Sequence, residues 1–382
     1  MQNFTFLNPT KIVFGRAVVA KLGPEAAKAG KKALFVYGGG SIKKNGVYDV
    51  LTGALAKEGV AIVEHHGVKP NPILSHVRGG IKKARENNCD LIVAAGGGSV
   101  IDEAKAIAAG TKYSGDVWDF FCGKATVMEA LPLFTALTLP ATGSEMNSGC
   151  VVTNEETAQK FSIQGGAQLF PRVSALDPET TLTLPRAQVA NGAVDAIAHI
   201  IEGYFTAKDT DVAVTDEIVH SLARSVIAST GRILKDPSDY NARASMMWSA
   251  TLALNGLAAC GYGGMTFINH AIEHSLSAIY DIAHGAGLAI VIPAWFRHHL
   301  ETAGPARLEK FGAAVFGTKA PEEAIHAFED FFREAGAPVR LAEADIPATD
   351  IPRIAQNAMG LIRLWGMKHE QPEIERILRK AV

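Results

Sequence analysis

The 382-residue sequence contains only four cysteines, and no two of them form a C-x-x-C pair. Without such pairs neither a zinc knuckle nor a disulfide framework is expected, and we predict reduced thiols. The chain also lacks an apolar run long enough to span a bilayer, and it does not start with a basic segment followed by an apolar one. The sequence therefore predicts a soluble cytoplasmic protein with no membrane partner.

Basic residues are not in excess. Lys and Arg number 37 against 39 Asp and Glu, which gives a formal net charge of -2. Because nucleic-acid binding generally requires a basic surplus, we expect a small-molecule partner and no nucleic acid. Low-complexity tracts and repeats of solenoid period are also missing, so a solenoid architecture is not indicated.

What the first half does contain is an alternation of short β-branched runs with helical patterns. "KALFVY", "VAIVEHH" and "DLIVAA" are typical of strands, and the segments between them of helices. This βαβ pattern predicts a Rossmann-like parallel sheet covered by helices. From residue 187 onward, alanine-rich and leucine-rich helical periodicity replaces the alternation. We predict an α/β domain over residues 1–180 and an all-helical domain over residues 181–382, divided near "DPETTLTLP".

Two "GGGS" tetrads, Gly38–Ser41 and Gly96–Ser99, each follow a predicted strand. The second opens into a helical pattern, so backbone N–H groups would face an anion such as a pyrophosphate. One tetrad could be a plain strand-to-helix turn, but two at successive strand ends favour a dinucleotide site. The first tetrad has no strand-end carboxylate to bind a ribose 2'-hydroxyl, and Ser41, Lys43 and Lys44 follow. These residues favour NADP over NAD, with solvated surface lysines as the alternative.

A loop of small polar residues follows the predicted strand "LFTALTLP". It carries Thr138, Thr142, Ser144 and Asn147, whose hydroxyl and amide groups suit the remaining ribose and phosphate of a dinucleotide. An ordinary turn would have the same composition. Lys160 is a candidate cation for the phosphates or, alternatively, an exposed surface lysine.

Candidate metal ligands concentrate in the second half. Asp195 and His199 share one face of an apolar helix, and His270 and His274 share one face of another. A carboxylate on an apolar face costs free energy unless it is paired or binds a metal, so a buried Asp–His hydrogen bond is the alternative for the first pair. An unbroken helix would carry His284 about 21 Å beyond His270, so His284 can join only if the chain turns near "YDIAHG".

One Asp and three His would form an N3O set, which suits iron, zinc, manganese or nickel. Such a set can act as a Lewis acid on a carbonyl or alkoxide oxygen if it leaves room for another ligand. The pattern alone leaves open whether His270 or His274 completes the set.

The motifs "GGGSVID", "LPATGSEMN", "VDAIAHIIEGY" and "HAIEHSLSAIYDIAHG" together resemble those of the iron-containing (group III) alcohol dehydrogenases, over essentially the whole chain. Within that family, "YGGGSIKKNG" is similar to the NADPH-dependent butanol dehydrogenase and aldehyde reductase branch. The resemblance implies hydride transfer between NADP(H) and short- to medium-chain primary alcohols or aldehydes. It also implies one divalent metal, Fe(II) or Zn(II), and a homodimer. The chain departs from many members in having "PATGSE" where they carry "T-T-A-G-T-G-S-E".

The resemblance further implies roles for individual residues. It assigns the metal to Asp195, His199, His270 and His284. It places His274 beside the nicotinamide and the metal as a catalytic residue, available for proton relay or for shaping the pocket. The implied cofactor contacts are Gly39, Ser41, Asn71, Gly97, Gly98, Ser99, Asp102, Thr138, Thr142, Asn147 and Lys160.

Two other classes of enzyme compete with this hypothesis. A metal- and NAD-dependent lyase of the dehydroquinate synthase type would need basic residues for an acidic, phosphorylated substrate, whereas the segments around the metal motifs are mainly apolar. A metal-dependent hydrolase would use the N3O set to activate water, but it would leave both glycine tetrads unexplained.

Overall fold

The computed structural model describes residues 1–208 and 211–382. The chain divides into two compact units. The sheet unit comprises Leu7–Leu184 and Ser238–Thr251, and the helical unit comprises Met1–Phe6, Pro185–Pro237 and Leu252–Val382. No helix in the described ranges combines the length and the apolar character that crossing a membrane would need.

The described strands all lie in the sheet unit. They are β1 (Lys11–Phe14), β2 (Lys32–Tyr37), β3 (Ala61–His66), β4 (Leu91–Gly97), β5 (Leu133–Leu139), β6 (Gly149–Asn154), β7 (Gln159–Gln164) and β8 (Val173–Leu176). The helices before Pro185 are α1 (Leu22–Ala27), α2 (Ser41–Lys44), α3 (Val47–Lys57), α4 (Leu74–Glu86), α5 (Gly98–Lys112) and α6 (Trp118–Phe121).

Six of the described strands form a parallel sheet in the order β1-β8-β5-β4-β2-β3, and β6 and β7 form a separate antiparallel hairpin. Nearly every residue of β2 and β4 is buried, because helices cover both faces of a parallel sheet. The predicted α/β class and the alternation from β2 to α5 are confirmed. The strand order reverses between β2 and β4, and the carboxyl ends of strands at such a point usually bind the ligand. Each "GGGS" tetrad lies at one of these two ends.

The predicted all-helical second half is also confirmed. Its helices are α7 (Arg186–Thr206), α8 (Ala213–Lys235), α9 (Tyr240–Ala253), α10 (Ile268–Tyr280), α11 (His284–Ala303), α12 (Ala306–Val315), α13 (Pro321–Ala335), α14 (Ile351–Leu364) and α15 (Gln371–Arg379). Between α10 and α11 the chain makes the turn expected near "YDIAHG", with Asp281 in the left-handed region at φ 52. A Cβ on Gly285 would lie 2.1 Å from the carbonyl oxygen of Asn191, so glycine is needed for α11 to approach α7 this closely.

Helix α9 groups mostly with the sheet unit, although its sequence lies between two helices of the helical unit. Thr251 donates its hydroxyl to the fully buried carboxyl group of Glu145 at 2.5 Å. The ring of Trp248 packs edge-on against Phe14 with centroids 6.0 Å apart. The sheet unit is therefore discontinuous in sequence.

Candidate active site

The glycine turn between β4 and α5 brings several predicted cofactor residues together. A Cβ on Gly98 would lie 2.3 Å from Oγ1 of Thr142, and one on Gly97 would lie 3.0 Å from a leucine side chain of β5. Glycine is therefore needed for the start of α5 to approach the loop that follows β5. Ser99 donates its hydroxyl to the carbonyl oxygen of Pro70. This close packing places the first turn of α5 beside the polar loop that carries Thr142.

A buried network anchors that loop to α5. Lys105 has no exposed surface, and its ammonium group contacts the carbonyl and side-chain oxygens of Asn147 at 2.8 and 3.0 Å. The same group contacts Oγ of Ser144 at 2.9 Å and the carbonyl oxygen of Gly149 at 2.7 Å. Asp102 accepts the Ser144 hydroxyl at 2.6 Å. The predicted residues Asp102, Thr142 and Asn147 thus belong to one connected arrangement, centred on a lysine that sequence reasoning missed.

Burial shifts the pKa values of the two charged groups of this network, Lys105 and Asp102, in opposite directions. It lowers the pKa of Lys105 to about 8, against the attraction of Asp102. It raises the pKa of Asp102, against the attraction of Lys105 and the hydrogen bond from Ser144. Each group therefore stabilises the ionised form of the other, so removing either one leaves a buried charge without its counterpart.

The other predicted cofactor residues lie near the ends of neighbouring strands. Lys160 is buried and donates to Oδ1 of buried Asn71 at 3.1 Å, so it is not an exposed surface lysine. Gly39 and Ser41 follow the carboxyl end of β2, and Thr138 is buried near the end of β5. Since β2 and β5 flank β4 in the sheet, these residues surround the strand that leads into the glycine turn.

One carboxylate near the end of β2 was not anticipated, because it comes from the neighbouring strand β3. The hydroxyl groups of Tyr37 and Tyr48 both donate to Glu64, the second at 2.5 Å. These bonds hold the pKa of Glu64 below its usual range, and burial with the nearby Glu64 raises the pKa of Tyr37 to about 12. The ammonium group of Lys43 lies 3.9 Å from the same carboxylate. Near the end of β2 the ionised carboxylate of Glu64 is thus paired with Lys43, one of the two lysines predicted to favour NADP.

In the helical unit, three imidazole nitrogens converge on one carboxylate oxygen. Oδ1 of Asp195 lies 3.4 Å from Nδ1 of His199, 4.0 Å from Nε2 of His270 and 3.6 Å from Nε2 of His284. Asp195, His199 and His270 are buried, and the His284 side chain is 21% exposed. His274 is buried too, with its ring centroid 5.5 Å from that of His284. The structure therefore brings together the four residues implied as metal ligands and places His274 at their side.

Two further carboxylates hold the imidazoles in place. Glu202 accepts from Nδ1 of His270 and, at 2.5 Å, from the backbone N–H of Asn269. Glu273 accepts from Nδ1 of His284. Because Nδ1–H of each of these two imidazoles donates to a carboxylate, Nε2 of His270 and Nε2 of His284 carry lone pairs toward Asp195, as in many metal sites. Burial lowers the pKa of His270, but the charge and hydrogen bond of Glu202, together with the charges of Asp195 and Glu273, outweigh burial, so the pKa is raised.

These residues fit a divalent transition metal. Three imidazole nitrogens and one carboxylate oxygen form an N3O set, which iron and zinc both accept. Within the described part of the chain, Nε2 of His270 is buried and has no hydrogen-bond partner. Such an atom costs free energy unless a ligand binds it.

Sequence reasoning missed both supporting carboxylates, although a signal was present. Glu202 follows His199 by three residues and Glu273 follows His270 by three, each on an otherwise apolar helix face. An unpaired carboxylate on such a face costs free energy at Glu202 and Glu273 just as it does at Asp195. Lys105 gave no comparable signal, since lysine is ordinarily exposed on a helix.

Comparison with known proteins decides the family. Residues 9–178 match the model for the iron-containing alcohol dehydrogenases, and residues 189–382 match the C-terminal model of the same family. The chain belongs to the iron-containing alcohol dehydrogenase family. This family membership makes it an oxidoreductase of alcohols and aldehydes that uses a nicotinamide cofactor and a divalent metal.

Several members of the iron-containing alcohol dehydrogenase family are similar over nearly the whole chain. The probable NADH-dependent butanol dehydrogenase 1 of Bacillus subtilis (strain 168) is 44% identical over 367 residues, covering 94% of each chain. The NADPH-dependent aldehyde reductase of Escherichia coli (strain K12) is 36% identical, covering 93% of this chain and 92% of its own. The crystal structure of NADH-dependent butanol dehydrogenase A from Thermotoga maritima superposes with a TM-score of 0.96 at 45% identity, covering 100% of this chain and 99% of its own.

Proposed function

We propose that this protein transfers hydride reversibly between NADP(H) and short- to medium-chain primary alcohols or aldehydes, with butanol and butanal as representative substrates. The observation that carries the proposal is the convergence of three imidazole nitrogens within 4.0 Å of the Asp195 carboxylate. The substrate class is supported by the relatives, which include butanol dehydrogenases and an aldehyde reductase.

In this proposal Asp195, His199, His270 and His284 hold the metal, Fe(II) or Zn(II). A divalent ion there supplies Lewis-acid stabilisation of negative charge on the substrate oxygen. The chain's own contribution is to present unprotonated imidazole nitrogens, which the carboxylates behind them orient. His274, buried beside His284, serves as the residue that relays the proton.

We assign the cofactor to the sheet unit, with NADP(H) preferred over NAD(H). The pyrophosphate would lie at Gly97, Gly98 and Ser99, and the 2'-phosphate near Gly39 and Ser41. This preference is supported by the glycine at position 39, where an NAD-selective site usually has a carboxylate. The positive charge of Lys43 also supports it, although Glu64 compensates part of that charge. Relatives of both kinds are known: the protein from Bacillus subtilis is named NADH-dependent and that from Escherichia coli NADPH-dependent.

A single substitution tests the cofactor assignment. A Cβ on Gly39 meets no atom within 4 Å, so Gly39→Asp fits sterically while placing a carboxylate at the strand end. We expect kcat/KM to fall at least about tenfold for NADPH and to rise for NADH, because the carboxylate repels a 2'-phosphate and accepts a 2'-hydroxyl. Gly53→Asp, at an exposed position of α3 with equal room for a side chain, is the matched control. An unchanged NADPH-to-NADH ratio in Gly39→Asp would contradict the assignment.

Two histidine variants test the metal assignment. His270→Ala should lose both metal and turnover, whereas His274→Ala should keep the metal and lose turnover. NADPH oxidation with butanal would be followed on protein stripped by chelator and reloaded anaerobically with Fe(II) or Zn(II), with bound metal measured in parallel. If His274→Ala were the variant that lost the metal, the ligand assignment would be wrong.

We further propose that the protein is a cytoplasmic homodimer whose partner is a small alcohol or aldehyde. The free thiols of Cys89, Cys122, Cys150 and Cys260 fit a reducing compartment. The dimer rests on the family resemblance, and sedimentation velocity of the purified protein tests it.

A further inference from the structure

A second cluster of metal-ligating side chains lies in the sheet unit, apart from the residues assigned to the cofactor or to the first metal. It consists of His65 at the end of β3, His76 in the first turn of α4 and Glu103 on α5. Nε2 of His65 lies 3.0 Å from Oε1 of Glu103, and Nδ1 of His76 lies 2.6 Å from the same oxygen. The two rings are stacked with centroids 4.2 Å apart.

The environment of His76 is typical of a metal-binding histidine. Its other ring nitrogen, Nε2, lies 3.1 Å from the carbonyl oxygen of His66 and donates to it. A backbone carbonyl that accepts from one ring nitrogen commonly fixes the imidazole whose second nitrogen binds a metal. Nδ1 of His76 is thereby directed at Glu103.

Hydrogen bonding alone does not satisfy Glu103. The residue has no exposed surface, and its Oε1 lies within hydrogen-bond distance of both imidazoles. Within the described ranges, its second oxygen, Oε2, is buried without any hydrogen-bond partner. A carboxylate oxygen in that position costs free energy comparable to a lost charged hydrogen bond, unless it binds a cation.

We propose that His65, His76 and Glu103 form a second site for a divalent transition metal, of which Zn(II) is the representative. Two imidazole nitrogens and a carboxylate are ligands that zinc accepts, and three protein ligands leave a fourth position for water. Bond lengths near 2.0–2.1 Å separate tetrahedral ligand atoms by about 3.3 Å. The two nitrogen–oxygen distances of 2.6 and 3.0 Å reach that spacing if His76 moves outward by about 0.7 Å and His65 by about 0.3 Å. The His76 side chain is 28% exposed, which also gives the ion a path of entry.

An ion at this site would join β3, α4 and α5 in the folded state only. Metal binding to the native state raises its stability relative to the unfolded chain. Because α5 begins with the glycine turn assigned to the pyrophosphate, the ion would stabilise the helix that supports the cofactor site. The proposal concerns residues outside the proposed catalytic centre and does not depend on it.

The test measures how many zinc ions each chain binds. Chelator-stripped protein is dialysed against micromolar Zn(II), and bound metal per chain is measured by mass spectrometry for the wild type and four variants. We expect two equivalents in the wild type, one in His76→Gln and one in Glu103→Gln. His66→Gln is the matched control, because that exposed imidazole adjoins the cluster without belonging to it, and it should retain two. His270→Ala, which removes a ligand of the other site, should bind one equivalent.

The two metal assignments can fail separately. If His76→Gln and Glu103→Gln bind as much zinc as the wild type, the second site does not exist. The second site is also refuted if the wild type binds one equivalent of zinc and His270→Ala binds none. If His270→Ala keeps two equivalents, the proposed catalytic site fails and the second site is unaffected. Melting of the metal-free variants, followed by circular dichroism, establishes that lost binding does not come from lost folding. Zinc should then raise the melting temperature of His66→Gln by more than that of folded His76→Gln, which keeps only the ion of the other site.

Discussion

Replacing Glu202 by glutamine removes one negative charge behind His270 while keeping the size of the side chain. The Glu202 carboxylate is buried and accepts two donors, Nδ1–H of His270 and the backbone N–H of Asn269. A glutamine has one acceptor oxygen, so its NH2 group must face one of the two donors. The imidazole can relieve that conflict by moving its proton to Nε2, the nitrogen directed toward Asp195.

The expected cost follows from these contacts. A hydrogen bond to a charged group contributes about 1.5–3 kcal/mol, and the variant loses one such bond in the metal-binding tautomer. At about 1.4 kcal/mol per tenfold change, metal affinity should fall by roughly 10- to 100-fold, which is the effect usually seen when a carboxylate behind a metal-binding histidine is removed.

Competition with a chromophoric chelator measures this loss directly on Zn(II)-loaded protein. Glu329→Gln is the matched control, since Glu329 is also a buried carboxylate of the helical unit but pairs with Arg297 and Arg340. We expect the control to bind Zn(II) like the wild type. A Glu202→Gln variant that folds and binds zinc within twofold of the wild type would refute the reasoning.

Three further predictions concern other parts of the chain. Lys105→Met should lower the free energy of unfolding by about 3–5 kcal/mol in urea titrations, because it leaves a buried carboxylate uncompensated; a loss below about 1 kcal/mol would contradict the network. Gly98→Ala should weaken NADPH binding about tenfold or more in fluorescence titrations, since its Cβ would lie 2.3 Å from Thr142. The pKa of Asp216 is lowered because the hydrogen bonds from Arg307, Lys310 and Tyr262 outweigh burial. This stabilisation is complete above the unfolded pKa of about 3.9 and is lost as pH falls through the folded value. The gap in unfolding free energy between wild type and Asp216→Asn should therefore be constant near pH 6 and shrink below about pH 4; a constant gap down to pH 3 would exclude the effect.

Local periodicity was sufficient to predict most of the secondary structure. The β-branched runs around residues 32–37 and 91–97 form the two buried strands β2 and β4, because side chains covered on both faces must be apolar throughout. The edge strand β1 and the hairpin of β6 and β7 are partly exposed and were not identified from the sequence. The turn before His284 was predictable on the condition that His284 joins the other ligands, since an unbroken helix cannot bring that residue back.

The candidate site was less accessible to sequence reasoning where its contacts are tertiary. The role of Lys105 depends on three residues of a loop about forty positions away, and no local pattern reports such contacts. Glu64 likewise reaches the end of β2 only because β3 pairs with it in register. The choice of His270 over His274 as the metal ligand needed the family resemblance. Two histidines on one helix face cannot be distinguished from the sequence pattern until the opposing helix is known.

The discontinuity of the sheet unit has a consequence for synthesis of the chain. The ribosome completes the residues up to Leu184 well before it reaches Thr251, the hydroxyl partner of buried Glu145. At ordinary elongation rates this interval is on the order of several seconds. During it the nascent sheet lacks helix α9, and Phe14 lacks its contact with the ring of Trp248. Folding of the first half should therefore finish only after much of the second half has left the exit tunnel.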